Sequence, residues 1–150
     1  MAGSFVGTYE HTLDIKGRIS LPSKFRKEFE TDSLVLAPGP NHEISVFTMD
    51  SFNEWLDSLF DEEGGYNPKN ATHVKRRRFF ANQAAFADVD KAGRINIPQI
   101  HIDWAGLGKT VLVSGDVDHV SLWDKDRYNE YMNAYDPMEL YASMFSESAE

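Results

Sequence analysis

The sequence predicts an α+β fold, mainly β, in which a duplicated unit of short strands and a flanking helix gives internal pseudo-twofold symmetry. The chain has 150 residues, 41% of them hydrophobic and 13% aromatic, which is enough for one buried core without disulfides. Sliding the chain against itself by 76 positions places Asp14 over Asp90 and gives twelve identities over positions 14 to 55. Both aligned segments show strand, hairpin and helix patterns in the same order. We therefore expect two structurally equivalent repeats.

A short strand comes first in each repeat. Ile19 and Leu21 alternate with a polar residue in the first repeat, and Ile95 and Ile97 do so in the second. Such alternation is typical of a half-buried strand. A hairpin comes next in both repeats, because apolar runs flank residues that favour turns. The predicted arms are 34–37 and 44–47 in the first repeat, and 110–113 and 120–123 in the second.

An amphipathic helix closes each repeat. Thr48 and Asp124 occupy equivalent N-cap positions, and an aspartate stands in the first turn of each helix, where the helix dipole favours it. Gly64 and Gly65 are predicted to end the first helix and Pro137 the second. Apolar side chains at helical spacing predict one buried face. They are Phe52, Trp55, Leu56, Leu59 and Phe60 in the first helix, and Tyr128, Tyr131, Met132 and Tyr135 in the second.

These patterns predict one integrated domain with four segments. Residues 1–62 form the first repeat, 63–80 a connecting segment with a basic helix over 68–80, and 81–136 the second repeat. Residues 137–150 form an acidic tail, which is predicted to be loose from Ala142 onward. Because a unit of about 45 residues is marginally stable alone, each repeat should need the other.

Charge is sorted along the chain. The net charge of −9 opposes an approach to nucleic acid, but residues 16–27 carry five basic side chains and no acidic one. Residues 75–78 are a run of four basic side chains, and residues 50–63 carry six acidic ones. We expect the basic run to pair with acidic neighbours or another subunit ahead of contacting DNA. The 16–27 segment is the better candidate for a phosphate-binding surface.

Other function classes find little support in the sequence. Without cysteine there is no disulfide, thiolate nucleophile or Cys-type metal site, which favours a cytoplasmic protein. The five histidines lack paired metal-ligand spacing, and the Gly108-Lys-Thr stretch lacks the first glycine of a phosphate-binding loop. No signal peptide is evident, and no apolar run reaches the roughly 18 residues of a membrane span. We therefore expect no enzyme activity, cofactor, small-molecule substrate or membrane contact.

The spacing Asp-x-x-Gly-Arg-Ile-x-Leu/Ile-Pro, which begins at Asp14 and again at Asp90, resembles the MraZ family of the SpoVT/AbrB-like DNA-binding fold. Further matching stretches are 9–14, 22–26, 77–80, 105–107 and 123–125. The resemblance implies a swapped-hairpin β-barrel completed within one chain and assembled into a ring-shaped homo-oligomer. It also implies a bacterial, nucleoid-associated transcriptional regulator. Such a protein binds spaced repeats in double-stranded promoter DNA upstream of its own cell-division and cell-wall gene cluster.

The resemblance places DNA-binding residues at the Asp and Arg of each motif. A glycine in the turn permits positive φ, and the preceding aspartate can fix the rotamer of an arginine whose planar fork suits phosphate or guanine. Nearby basic side chains would contact the DNA backbone. The predicted DNA-binding residues are Asp14, Lys16, Gly17, Arg18, Lys24, Arg26, Lys27, Asp90, Gly93 and Arg94.

The two motifs differ in the charge of the residues just C-terminal to them. Pro22 precedes three basic residues, whereas the stretch after Pro98 carries none, so we expect the first motif to dominate DNA binding. Two alternatives to a promoter-binding regulator remain open at this point. One is a non-catalytic protein-binding or assembly module of the same fold, and the other is an antitoxin-like autoregulator.

Overall fold

The computed structural model describes residues 4–145 and confirms a mixed α+β architecture. The strands are β1 (Thr8–Thr12), β2 (Arg18–Ser20), β3 (Ser33–Pro38), β4 (Ile44–Thr48), β5 (Ala85–Asp88), β6 (Arg94–Asn96), β7 (Thr110–Gly115) and β8 (Val120–Asp124). The helices are α1 (Ser23–Phe29), α2 (Met49–Ser58), α3 (Ala71–Gln83), α4 (Gln99–Ala105), α5 (Lys125–Asn133) and α6 (Pro137–Phe145). A 3₁₀ turn covers Asp61–Glu63.

The strands form two antiparallel sheets. Six strands pair in the order β1-β7-β8-β4-β3-β5, and β2 pairs with β6 in a separate two-stranded ribbon. Strand β1, from the first predicted repeat, joins the second hairpin, while β5, from the second, joins the first hairpin. The larger sheet stays open at β1 and β5, so the strands of the described chain do not close the barrel that the resemblance implies.

Pairing between the repeats is symmetric. Ile19 faces Ile95 in the β2–β6 ribbon, and Ser45 faces Ser121 where β4 meets β8. Both pairs join positions that are equivalent under the 76-residue offset. A pseudo-twofold axis therefore passes between them, which agrees with the duplication detected in the sequence.

The core lies between the ribbon and one face of the large sheet. Ile19 and Ile95 are fully buried beneath the ribbon, and they pack with apolar side chains of the sheet and of α1 and α4. On the opposite face, Val35 and Phe47 pack against Phe52 of α2. The molecule therefore has three layers: the ribbon with α1 and α4, then the sheet, then α2, α3 and α5. This arrangement leaves the outer surface of the ribbon facing solvent.

The predicted N-caps of α2 and α5 are confirmed. The Thr48 side chain accepts a hydrogen bond from the Ser51 backbone N–H at 3.1 Å, and the Asp124 side chain accepts one from the Arg127 N–H at 3.3 Å. The predicted ends are wrong. Helix α2 stops at Ser58, and Gly64, with φ of 85°, caps the 3₁₀ turn that comes next. Likewise α5 stops at Asn133, so its end precedes Pro137.

Two other predictions also need correction. The connecting helix begins at Ala71 instead of 68, because the Asn70 side chain accepts hydrogen bonds from two backbone N–H groups of the first turn. The tail predicted to be loose from Ala142 is helical through Phe145, since α6 begins at Pro137, a residue suited to a first helical turn. The rest of the predicted tail, 146–150, lies outside the described residues.

Candidate nucleic-acid interface

The first Asp-x-x-Gly-Arg motif is a tight loop closed by the carboxylate of Asp14. One carboxylate oxygen accepts the backbone N–H groups of Lys16 and Arg18, both at 2.9 Å. The other accepts Nε–H of Arg18 at 2.7 Å. Gly17 is buried with φ of 79°, a conformation that side chains disfavour. The loop therefore fixes the arginine through both its backbone and its side chain.

The second motif repeats this geometry. Asp90 accepts the backbone N–H groups of Ala92 and Arg94 at 2.9 Å and Nε–H of Arg94 at 3.0 Å. Gly93 has φ of 81°. The side chains of Arg18 and Arg94 are 31% and 34% exposed. Within residues 4–145, neither arginine makes a further side-chain hydrogen bond. In both motifs the two terminal amino groups of the guanidinium are thus available to an outside acceptor.

The ribbon places both arginines on one surface. Because side chains alternate along a strand and Ile19 points into the core, Arg18 points outward. Arg94 lies diagonally across from it, with Ser20 and Asn96 completing the outward surface, and such diagonal neighbours are roughly 7–8 Å apart. We call these four side chains the ribbon face. Ser20 and Asn96 were missed by the sequence reasoning, although their alternation with buried isoleucines was a usable signal.

Helix α1 connects the first repeat to the second motif. Its Arg26 guanidinium lies so close to Gly93 that a Cβ added to this glycine would collide with it. The equivalent residue in α4 is Ile102, whose side chain approaches Gly17. The expectation that Arg26 adds charge beside the first motif is therefore wrong about its position. The basic side chain that comes after one motif in the chain packs against the other in space.

The other basic residues lie on two sides of the sheet. Lys16 is exposed in the first loop, and Lys24 and Lys27 are exposed on α1. The 75–78 run lies on α3, in the helical layer on the other side. Within it, Arg76 pairs with Glu63 at 2.7 Å and Arg77 approaches Asp57 at 3.7 Å. The predicted pairing of this run with the acidic 50–63 segment is confirmed for these two residues.

Hydrogen bonding lowers the pKa of both motif aspartates below the usual 3.8. The largest cause at Asp14 is the backbone N–H of Arg18, which is assisted by the Arg18 side chain and the Lys16 N–H and opposed by partial burial. At Asp90 the backbone N–H of Arg94 is likewise the largest cause. Each aspartate thus stays ionised, and holds its arginine, to lower pH than an isolated carboxyl group would.

This arrangement predicts an acid-resistant carboxylate. A carboxyl-detected NMR titration should place the Asp14 midpoint below 3.8, so its pairing stabilises the fold above that value and is lost as pH falls through the lowered pKa. In Arg18→Ala the Asp14 midpoint should rise only part of the way toward 3.8, because the backbone N–H groups of residues 16 and 18 still donate to the carboxylate. A wild-type midpoint at or above 3.8 would show that the loop is not closed in solution.

The structure also bears on metals and membranes. Among residues 4–145, no group of three or more His, Asp or Glu side chains could hold a metal ion. In the same range, no helix has the length and apolar character needed to cross a membrane.

Comparison with known proteins identifies the family. Residues 4–76 and 80–143 both match the family model described as "MraZ protein, putative antitoxin-like". The transcriptional regulator MraZ of Paenarthrobacter aurescens is 39% identical over 86% of this chain and 87% of its own length. That of Treponema denticola is 34% identical over 96% and 94%. That of Mycoplasmoides gallisepticum is 34% identical over 87% and 88%. The chain therefore belongs to the MraZ family, whose members are non-catalytic transcriptional regulators.

Proposed function

We propose that this protein binds double-stranded promoter DNA through the ribbon face, at spaced repeats upstream of its own cell-division and cell-wall gene cluster. The observation that carries the proposal is the pair of aspartate-held arginines on one outward surface. The major groove of B-DNA admits a two-stranded β-ribbon, and an arginine fork can bond guanine O6 and N7. The same fork can also clamp a phosphate.

Preorganisation is the main contribution of the motif loops. A free arginine side chain loses rotamer entropy when it binds, at a cost of roughly 0.5–1.5 kcal/mol for each immobilised side chain. Asp14 and Asp90 hold Nε of their arginines before DNA binds. Part of the rotamer entropy of each arginine is therefore already lost in the folded protein, and binding to DNA does not reduce it again. The terminal amino groups then carry the recognition. Gly17 and Gly93 keep the loops tight enough to hold the arginines in place.

The basic residues around the ribbon would supply contacts to the DNA backbone. Lys16, Lys24, Arg26 and Lys27 are exposed and lie in the loops and helix beside the ribbon. Their contacts would be independent of sequence and sensitive to salt. Because one ribbon face covers few base pairs, we further propose a ring-shaped homo-oligomer in which several faces engage successive repeats. Linked binding of this kind can raise affinity 10²–10⁴-fold.

The resemblance to the MraZ family also supports a specific fold, specific repeat boundaries and a location for this protein. The ribbon and the open sheet together would correspond to the swapped-hairpin core of the SpoVT/AbrB-like fold, with repeats at 1–62 and 81–136 and a connector at 63–80 forming one domain. The protein would act at the nucleoid, within the cytoplasm. Recruitment of a protein partner through the acidic surface would be the function if the protein failed to bind DNA.

The test is binding of the full chain to DNA from upstream of its own gene, compared with shuffled DNA of equal length. We expect preference for the upstream DNA despite the net charge of −9. The logarithm of the affinity should fall linearly with the logarithm of salt concentration, at a slope of about −0.9 for each phosphate neutralised. A folded protein that shows equal or no binding to the two DNAs at low salt would refute the proposal.

A further inference from the structure

An apolar groove lies between α2 and α3 of the helical layer and α4 of the ribbon layer. Its walls are Trp55 of α2 and Leu59 just after it, Phe79 of α3, and Ile100 and Trp104 of α4, and the β3–β4 turn forms one end. We call this the α4 groove. Its cavity volume is about 680 Å³. Phe79 and Ile100 are 55% and 68% exposed, so large apolar side chains here lack cover. An exposed apolar groove of this kind marks an interaction surface.

The groove also contains an unfilled polar position. His101 is buried in its wall and bonds the backbone oxygen of Gln83 through Nε2 at 2.8 Å. Its Nδ1 is buried and has no hydrogen-bond partner among the described residues. A buried polar atom left unpaired is unfavourable for the folded state. The wall of the groove therefore carries an unpaired polar atom beneath its exposed apolar side chains.

The C-terminal helix, α6, has an apolar face that does not sit in any groove formed by the described residues. Every residue of α6 is exposed, including Met138, Leu140, Tyr141, Met144 and Phe145. At 100° per residue these side chains form one broad apolar face, and Glu139 and Ser143 occupy the remaining arc. A nine-residue helix is marginal in water without tertiary packing. Within residues 4–145, nothing covers this face.

Basic residues of α3 lie near the groove, and the C-terminal segment that contains α6 is acidic. Residues 128–150 contain five acidic side chains and no Lys or Arg. Helix α3, which forms one wall of the α4 groove, carries Lys75 and Arg78, and neither makes an ion pair within residues 4–145. The acidic residue on the rim, Asp103, already accepts a hydrogen bond from the Gln99 side chain at 2.9 Å. The α3 side of the groove therefore favours an occupant whose flanking residues are acidic, as those of α6 are.

We propose that α6 of one copy of this chain docks in the α4 groove of the next copy. The two surfaces differ, so the contact is heterologous, and repetition of it builds a ring if the rotation closes. This inference rests on the ring assembly proposed above and names the surfaces that form it. It also accounts for the missing basic residues after Pro98, because Ile100 and Trp104 of α4 face a partner helix instead of DNA.

The inference is tested with two complementary variants of the full chain. Ile100→Glu places a charge in the groove and leaves α6 intact, whereas Tyr141→Glu does the reverse. Both positions are exposed, so each variant should stay folded, and its helical content and melting temperature should fall only through the loss of assembly. Light scattering should give wild type at a multiple of the 17.0 kDa chain mass and each variant alone at the mass of one chain. Val6→Glu, at an exposed apolar residue outside both surfaces, is the matched control and should assemble normally.

Mixing the two variants gives the decisive result. The intact α6 of the Ile100→Glu chain should enter the intact groove of the Tyr141→Glu chain, and growth should stop at a dimer of twice the single-chain mass. If both variants remain oligomeric, the ring is formed by other surfaces and this inference is wrong. If the mixture stays monomeric, α6 does not dock between chains, and the inference is also wrong. A monomeric wild type would instead refute the ring proposal itself.

Discussion

Replacing Arg18 and Arg94 together with alanine is expected to abolish preference for upstream DNA without unfolding the protein. Each arginine offers two free terminal amino groups on the same ribbon face. The loss of one specific arginine contact costs about 1–3 kcal/mol, so the double variant should lose roughly 2–6 kcal/mol if the two losses add. Fluorescence anisotropy with labelled upstream and shuffled DNA measures both affinities.

The single variants test how the two motifs share this binding. The sequence alone predicts that the first motif dominates. Because the exposure of the two arginines is similar and Arg26 lies beside the second motif, we replace that prediction and expect Arg18→Ala and Arg94→Ala to lose similar affinity. Arg127→Ala removes the same charge from α5, in the layer on the other side of the sheet, and should change binding little. Oligomer mass must match wild type in every variant. A large loss for Arg127→Ala and none for the ribbon variants would place the interface elsewhere.

Ile19→Ala should produce the largest loss of stability. Ile19 is fully buried under the ribbon and faces Ile95 across the pseudo-twofold axis, so its removal leaves a cavity that neither repeat can fill. Such a truncation costs about 2–5 kcal/mol of unfolding free energy. Urea denaturation at one fixed protein concentration measures the change, since assembly also contributes to apparent stability.

The matched control for this variant lies four residues earlier in the same segment. Ile15 is fully exposed, so Ile15→Ala should stay within about 0.5 kcal/mol of wild type. Equal losses for the two variants, or no loss for Ile19→Ala, would mean that the ribbon does not pack on the sheet as described.

Local signals predicted the elements that repeat in sequence. Strands β2 and β6, both hairpins and the caps at Thr48 and Asp124 result from spacing and N-cap chemistry, which act within a few residues. The edge strands β1 and β5 were missed because β1 is almost wholly exposed and β5 has only four residues, so no clear apolar alternation marks them. The short helix α1 left a weak signal, the i, i+4 pair of Phe25 and Phe29.

The site was predictable to the level of the motif and no further. The spacing from Asp14 to Arg18 predicted the carboxylate-to-arginine contact that the structure contains. The crossing of α1 toward Gly93 was not predictable, because it depends on which strands pair between the repeats. The α4 groove was missed for a similar reason, since its walls come from three helices that are far apart in the sequence.

Site-specific photo-crosslinking tests the central claim, that the ribbon face contacts promoter DNA. The chain has no cysteine, so one introduced thiol carries a crosslinker at a single place. Ser20→Cys puts it on the ribbon face between the two arginines, and Ser58→Cys puts it at an exposed position of α2 as the matched control. We predict crosslinks to upstream DNA from Ser20→Cys and none from Ser58→Cys. Binding with crosslinks only from Ser58→Cys would contradict the account.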